Sequence, residues 1–444
     1  MAGNIKSGVK IFNVTGSLSG IEGINGITDS YTISPDSTTI KAGDFVNLTT
    51  NFNSSSSISG SARGGMYISS VALTSNKVFI THCGNDGYLY GTVCTINGTT
   101  ITKGTNTKLS SINLSGTPSI VALSDSKVFI AYSGSSSYYL YGMVCSISGT
   151  TISVGTDIQL STTDYTGSGI SVVALSSSKV LVAHCYAMNK YQLYGMICTI
   201  SGTSISKGSD TAIKTTNWQG NSISAVKLSD SKVFIAHNDS SDYTLGAIVC
   251  TISGNTITAG TSVSLSNIKK SGSQISAIAL SDSKVFIAHS RSDSYYLNGI
   301  VCTINGTTIT PGTDTSLSNT SYIGYVPSTI MVGGGKIFIV SGYGSTNTSR
   351  SLIGILCNIT DYTITAADKV TVNGSSYTGY FANAIKLLNN KIFIAHSADS
   401  NVYLYARIGY VNAVTTYTTN ANVYGVAVGS GSPDTDISVV FPSY

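Results

Sequence analysis

The sequence predicts an all-β fold: a seven-bladed β-propeller of four-stranded antiparallel blades, with small β extensions at both ends. Three observations carry the prediction. The phrase LSDSKVFIAHS at 280–290 recurs along the chain, with Lys77, Lys127, Lys179, Lys232, Lys336 and Lys391 standing where Lys284 stands. Subtracting successive lysine numbers gives a period of 50 to 55 residues, the mark of a repeat architecture. Each unit reads as four short strands. The last unit lacks its fourth strand, while a fourth strand without a unit stands near the N-terminus.

The unit beginning near Gln274 shows the pattern. Strand A is ISAIALS, followed by a tight turn at Asp282-Ser283. Strand B is KVFIAHS, and the loop RSDSYY leads to strand C, LNGIVCTI. Asn305-Gly306 is a strong hairpin signal, and strand D is TTITPGTDTSLS. Pro311 is tolerable there because an outer strand needs no ladder donor at every position. Strands A to C are apolar on both parities, so they are covered on both faces. Strand D is Thr-rich, hence outer and half-solvated. Blades stacked around an axis satisfy all of this. The period-2, β-branched pattern excludes a helical solenoid.

The seventh unit has strands A (NAIKLL), B (KIFIAHS) and C (YLYARIGYV). Residues 38–50, TTIKAGDFVNLTT, align with 99–110 and are expected to supply its outer strand. That pairing would close the ring and remove an open sheet edge. The chain then divides into an N-terminal segment (1–28), the propeller (29–411) and a C-terminal β extension (412–444). Both extensions leave at the closing blade, side by side, as an attachment module.

Composition narrows the function. Of 444 residues, 41% are hydrophobic and only 10% charged, against about 25% charged in an average globular protein. The net charge is +4 with no basic run, which argues against nucleic-acid binding. No apolar run approaches the ~18 residues of a membrane span. The first residues alternate instead of forming a signal-peptide core, so maturation in a cytoplasm is expected. Six of the eight cysteines (Cys94, Cys145, Cys198, Cys250, Cys302, Cys357) share one repeat position, and Cys83 and Cys185 follow a histidine. All eight read as buried free thiols packing as small hydrophobes. No compact His/Cys cluster points to a metal, and no cofactor is expected.

Strand direction sorts the loops. A–B and C–D turns lie on a smooth face; longer, variable B–C and D–A loops lie on the other. The variable loops are rich in Tyr, Ser, Asn and Gly, and hold the single Trp. Trp218, Tyr165, Tyr322, Tyr325, Tyr377 and Tyr380 are the candidate ligand-binding residues, since rigid amphipathic rings give contact area at low entropy cost. Unconstrained surface loops are the plain alternative.

His82, His184, His237, His289 and His396 share one position, with Tyr132 and Ser341 replacing them elsewhere. They read as a blade-internal hydrogen bond at the end of strand B, because a catalytic or metal site breaks symmetry instead of repeating. The strand-B lysines ring the smooth face. Asp125, Asp230 and Asp282 precede three of them by two residues. Solvated pairs are the plain reading and an anionic docking ring the sharper one. No hydrolase motif is present, Asp164, Asp239, Asp242 and Asp293 show no pairing, and no enzymatic activity is expected.

Two end segments carry a resemblance. NIKSGVKIFNVTGS at 4–17 resembles the NIKxGVxIxGVTGS segment of tail and fibre proteins from bacteriophages of Gram-positive hosts, with Asn13 departing from the usual Gly. VYGVAVGSGSPDTDISVVFP at 423–442 is similar to a GVAxxSGxxGDxIxV element of such virion proteins, with Pro433 departing. The blade phrase resembles propeller repeats of phage and prophage proteins. This resemblance implies a virion structural protein, assembled in the host cytoplasm and multi-copy on the particle. It would be held to other virion proteins through 1–28 and 412–444. A tail-fibre, baseplate or capsid-surface appendage binding host glycan through the loop face is the leading expectation. A purely structural hub and a propeller-fold glycan-cleaving enzyme are the alternatives.

Overall fold

The structure, a computed structural model, describes residues 4–11, 14–18, 27–32, 46–59, 64–136, 138–161, 169–186, 192–215, 222–239, 244–266, 274–291, 296–318, 323–333, 335–344, 351–367, 369–373, 381–388, 391–398, 403–415, 426–427 and 436–441. Seven antiparallel blades follow one another. In blade 5 strand A is Gln274–Ser281, B is Lys284–Ser290 and C is Leu297–Asn305. The outer strand is split into Thr308–Pro311 and Thr315–Ser316, both paired with strand C. Blades 1 and 2 share one long strand, Thr107–Ser124, which ends the first blade and begins the second without a break.

Strands A line the axis, and each touches the A strand of the next blade. The last, Ala382–Lys386, touches the first, Met66–Thr74. A serine eight residues before the strand-B lysine accepts a backbone N–H from the following blade. Ser119 accepts from Val172 at 3.0 Å, Ser171 from Ala225 at 2.9 Å and Ser224 from Ala277 at 3.0 Å. Ser276 accepts from Thr329 at 3.1 Å and Ser328 from Ala384 at 2.9 Å. Asn383 takes the role at the closing junction and accepts from Ser70 at 2.9 Å. This belt was not legible as a motif, because one serine in a Ser-rich chain carries no contrast.

The core lies between blades. On strand B, alternate residues face opposite neighbours: Phe129 packs with Val180 and Val182 of blade 3, while Val128 and Ile130 pack with Phe79 and Val93 of blade 1. Fully burying one such phenylalanine is worth roughly 1.5–3 kcal/mol. A strand-C glycine makes room for it. At Gly299 a Cβ would stand 3.0 Å from the Phe286 ring. All eight cysteines are buried and free, as read from the sequence.

The A–B turn falls at Asp282-Ser283, between the paired residues Ser281 and Lys284. The C–D turn lies one residue beyond the sequence signal: Asn305 pairs with Thr308, so Gly306 is its first central residue, at φ +63°. A type II′ turn puts glycine at that position. Asp230 departs from the expected pair, since its carboxylate meets Lys227 at 2.7 Å. Two strand-B lysines instead reach the next blade, Lys179 to the Gly254 carbonyl and Lys284 to the Asp361 carbonyl.

An N-terminal strand closes the ring. Val46–Phe52 and Ser56–Ser57 both pair with the last strand C, Tyr403–Thr415. The register differs from the sequence alignment by ten residues. Thr50, opposite Val411, occupies the place that Ile101 holds opposite Ile96 in blade 1. Residues 38–45 of the expected strand lie outside the described residues. The Thr-rich pattern of a half-solvated outer strand fits either stretch, so pattern alone pins its register weakly. At the ends, Asn4–Ile11 pairs with Val14–Leu18, and Ile27–Thr32 pairs with Asp436–Phe441, which also pairs Val426–Ala427. The two chain ends thus share a sheet. Among the described residues no helix is long and apolar enough to cross a membrane.

Candidate functional site

Strand B delivers the repeated histidine to the seam with the preceding blade, on the parity of the core residues two and four positions before it. The outer strand supplies its partner. The strand breaks at a glycine whose N–H bonds the facing strand C: Gly312 donates to the Val301 carbonyl at 2.8 Å. A Cβ at Gly312 would lie 2.7 Å from that oxygen, so glycine suits the approach there, while Ala367 and Asn53 make the equivalent bond in blades 6 and 7 at 2.8 and 3.0 Å. Two residues later the chain turns a polar side chain inward. His184 Nε2 lies 2.8 Å from Asp210 Oδ1 and His289 Nε2 lies 3.1 Å from Asp314 Oδ1. His82 meets Asn106 at 2.9 Å, and Tyr132 Oη donates to Asp157 Oδ1 at 2.6 Å. His237 and His396 meet Ser262 and Ser55 at 3.4 and 3.3 Å. The expectation of a blade-internal hydrogen bond is met.

Strand C adds an aromatic ring. Tyr90, Tyr194 and Tyr405 stack on His82, His184 and His396 with interplanar angles of 18–20°. Tyr141 stacks on Tyr132 in the same way. In blade 5 the place belongs to Asn298, whose Nδ2 donates to Asp314 at 2.9 Å. The preceding blade adds a side chain to three of these seams. Ser110 donates to Asp157 at 2.8 Å, Ser266 to Asp314 at 2.6 Å and Lys214 to Ser262 at 3.1 Å.

Burial fixes the charge states. Burial alone would raise the Asp314 pKa, but hydrogen bonds from His289, Ser266 and Asn298 prevail and hold it at about 2. Burial pushes the imidazoles of His82 and His396 down, His396 to about 4. A neutral, fully buried imidazole at neutral pH serves as a packing and hydrogen-bonding group. Among the described residues no group of three His, Cys, Asp or Glu is placed to hold a metal ion.

These seams open at the rim of the loop face. The Asp210 side chain remains 32% exposed and Asn106 is exposed, with the tyrosine rings half-buried behind them. Blade 1 carries the most elaborate rim. Tyr90 Oη donates to Asp86 Oδ2 at 2.9 Å, Lys108 pairs with Asp86 at 3.6 Å, and the same ammonium lies 3.2 Å over the Tyr88 ring. An aromatic face, a carboxylate, an ammonium and an amide thus stand together at the solvent edge.

Trp218, Tyr165, Tyr322, Tyr377 and Tyr380 lie outside the described residues. Tyr325 belongs to a strand and not to a loop: it pairs with Gly342 within Ile323–Gly333. Asp164, Asp242 and Asp293 also lie outside the described residues. Sequence reasoning missed Asp157, Asp210, Asp314 and the strand-C tyrosines. Their signal was available: Gly-Thr-Asn at 104–106, Gly-Thr-Asp at 155–157, Gly-Ser-Asp at 208–210 and Gly-Thr-Asp at 312–314 repeat, as does Tyr-Gly in strand C.

No protein-family model and no curated protein matches the chain. Solved structures do. The BP39L lectin from Burkholderia pseudomallei is similar at a TM-score of 0.61 with 9% identity, over 79% of this chain and 99% of that one. The Aleuria aurantia lectin AAL, in complex with Fucα1-6GlcNAc, matches at 0.39 with 14% identity, over 70% and 98%. The NanB sialidase from Streptococcus pneumoniae matches at 0.44 with 13% identity, over 81% and 70%. At 9% identity the likeness to BP39L is one of fold alone: a β-propeller.

Proposed function

We propose that this protein is a structural appendage of a phage particle, held by its two ends, whose propeller turns its loop face outward to bind host-surface glycan. The observation that carries the reading is the polarity of the disc. Strand C of the last blade, Tyr403–Thr415, pairs Tyr410 with Lys391 at the smooth face and runs on to Thr415 opposite Val46. In blade 1 the same strand turns at Asn97, the counterpart of Asn412. The three extra residues carry the ribbon about 10 Å past the smooth face. Both chain ends therefore depart on the side away from the variable loops and the polar rims. The phage-like segments at 4–17 and 423–442 belong to those ends.

Glycan suits the rim chemistry. A half-buried tyrosine offers a face to sugar C–H groups, and Asp86, Asp210 or Asn106 offers acceptors to hydroxyls. The fold likeness to a protein named a lectin supports the same ligand class. Single sites of this kind are weak, and many copies on one particle would supply avidity. The test is a glycan panel, including fucosylated and sialylated sugars and host cell wall, probed with the wild type and with Trp218→Ala, Tyr194→Ala and Asp86→Ala. Loss of binding in one or more variants supports the site, and unchanged binding in all three removes it.

The hub reading has one observation in its favour. The seam carboxylates already spend their acceptors on His, Ser and Asn of the protein itself, as at Asp314. A protein with no glycan ligand would keep these seams as scaffold alone. Glycan cleavage finds no support among the described residues, because Asp157, Asp210 and Asp314 stand singly in their seams, and Asn106, Ser262 and Ser55 take that place in others.

A further inference from the structure

We infer that the smooth face is itself a docking surface, and that its partner is an acidic protein surface. The face is strongly basic. Beside the seven strand-B lysines, of which Lys336 is buried, it carries Lys227 and Lys386 on strand A near the A–B turns. Asp125, Asp230, Asp282 and Asp361 are the aspartates in those turns. Lysines thus outnumber aspartates by five on this side. At the loop end the described charges nearly cancel: Asp86, Asp157, Asp210, Asp239 and Asp314 stand with Lys108, Lys214, Arg291 and Lys369.

Lys227 is paired with Asp230, but other ammoniums of the face are oriented by backbone carbonyls. Lys386 donates to the carbonyl of Val332, Lys179 to that of Gly254 and Lys284 to that of Asp361, each in the neighbouring blade. A carbonyl fixes the ammonium but leaves its charge, so the field over the face persists. Such a field speeds encounter and selects a partner of opposite sign.

A protein fits this face better than a bare polyanion does. Leu388 is 65% exposed and Tyr362 is 54% exposed, and both lie in smooth-face turns of adjacent blades, 7 and 6. Apolar groups set among cations describe a protein interface, with a buried centre and a charged rim. Blade 7 is also where the ribbon of both chain ends emerges, so this surface continues directly into the tether. The inference leans on the two-faced arrangement proposed above, and its test leaves glycan binding as a separate readout.

The experiment measures retention of the full chain on immobilised poly-L-glutamate, on a glutamate–tyrosine copolymer and on phosphatidylglycerol vesicles at about 150 mM salt, where long-range surface attraction is screened within roughly 8 Å. Lys77→Glu/Lys127→Glu is compared with the loop-face pair Lys108→Glu/Lys369→Glu, with folding of each checked by circular dichroism. The inference expects the polypeptide probes to retain the wild type, and the copolymer more strongly. The smooth-face pair should lose about tenfold or more, the loop-face pair less than about twofold, as local electrostatics demands. Leu388→Ser should erase the preference for the copolymer. Equal losses for the two pairs, capture by vesicles but by neither polypeptide, or no retention at all would overturn it.

Discussion

The side-chain oxygen of Asn383, in the last blade, accepts the backbone N–H of Ser70, in the first, at 2.9 Å. The Ser70 hydroxyl donates to the same oxygen, and Asn383 Nδ2 reaches Ser328 at 3.5 Å. One side chain thus joins three blades where the ring closes. Asn383→Ala is expected to cost about 1–3 kcal/mol, the penalty for stranding buried donors. Ser224→Ala, within the ring, should cost about 1 kcal/mol. Denaturant midpoints at unchanged slope check the ranking.

Closure by the N-terminal strand gives a truncation test. A chain beginning at Val46 keeps both strands that pair with Tyr403–Thr415. A chain beginning at Gly60 loses them and exposes a strand edge, an invitation to intermolecular pairing. The first should melt cooperatively near the full-length temperature. The second should melt lower and aggregate, as read by scattering during the melt.

The histidines set the acid response. His396 has a folded pKa of about 4 against 6.5 for the free side chain, because burial disfavours its cation. The folded state therefore binds fewer protons below pH 6.5 than the unfolded chain does. Its stabilising contribution is complete above pH 6.5 and disappears as pH falls through 4, about 3 kcal/mol in all. Asp314, held at about 2 against 3.8, adds a second loss as pH falls through that lower range. In His396→Gln the slope of stability between pH 6.5 and 4 should flatten.

Burial raises every cysteine thiol, Cys83 and Cys145 to about 11 and Cys94, Cys198, Cys250, Cys302 and Cys357 to about 12, with Cys185 also well up. A thiol reagent at pH 8 should titrate no cysteine in the folded protein and all eight in guanidinium. Rapid reaction of any native thiol would mean that its seam opens.

The ring was legible because strand B must be apolar on both parities to lie between blades, and that pattern survives every local change. The closing strand was legible as a need but not in its register, since Thr50 and Ile40 suit a half-solvated position equally well. The seam clusters were harder. His289 and Asp314 stand 25 residues apart in sequence, and Ser266 belongs to another blade. Only the fold brings them together, although the repeated Gly-Thr-Asp marked where to look. The strand-B lysines were legible as a ring on the smooth face, but the addition of Lys227 and Lys386 from strand A was not, because a net charge of +4 hides its concentration on one side.

The central claim is that the two faces have different work, and glycan titration of three proteins tests it most directly. Isothermal titration with the best sugar of the panel would compare the wild type, Tyr194→Ala/Asp86→Ala on the loop face and Lys77→Glu/Lys127→Glu on the smooth face. The account predicts that the loop-face variant loses the heat of binding while the smooth-face variant keeps the wild-type affinity. Equal affinity in all three, or loss in the smooth-face variant alone, would contradict it.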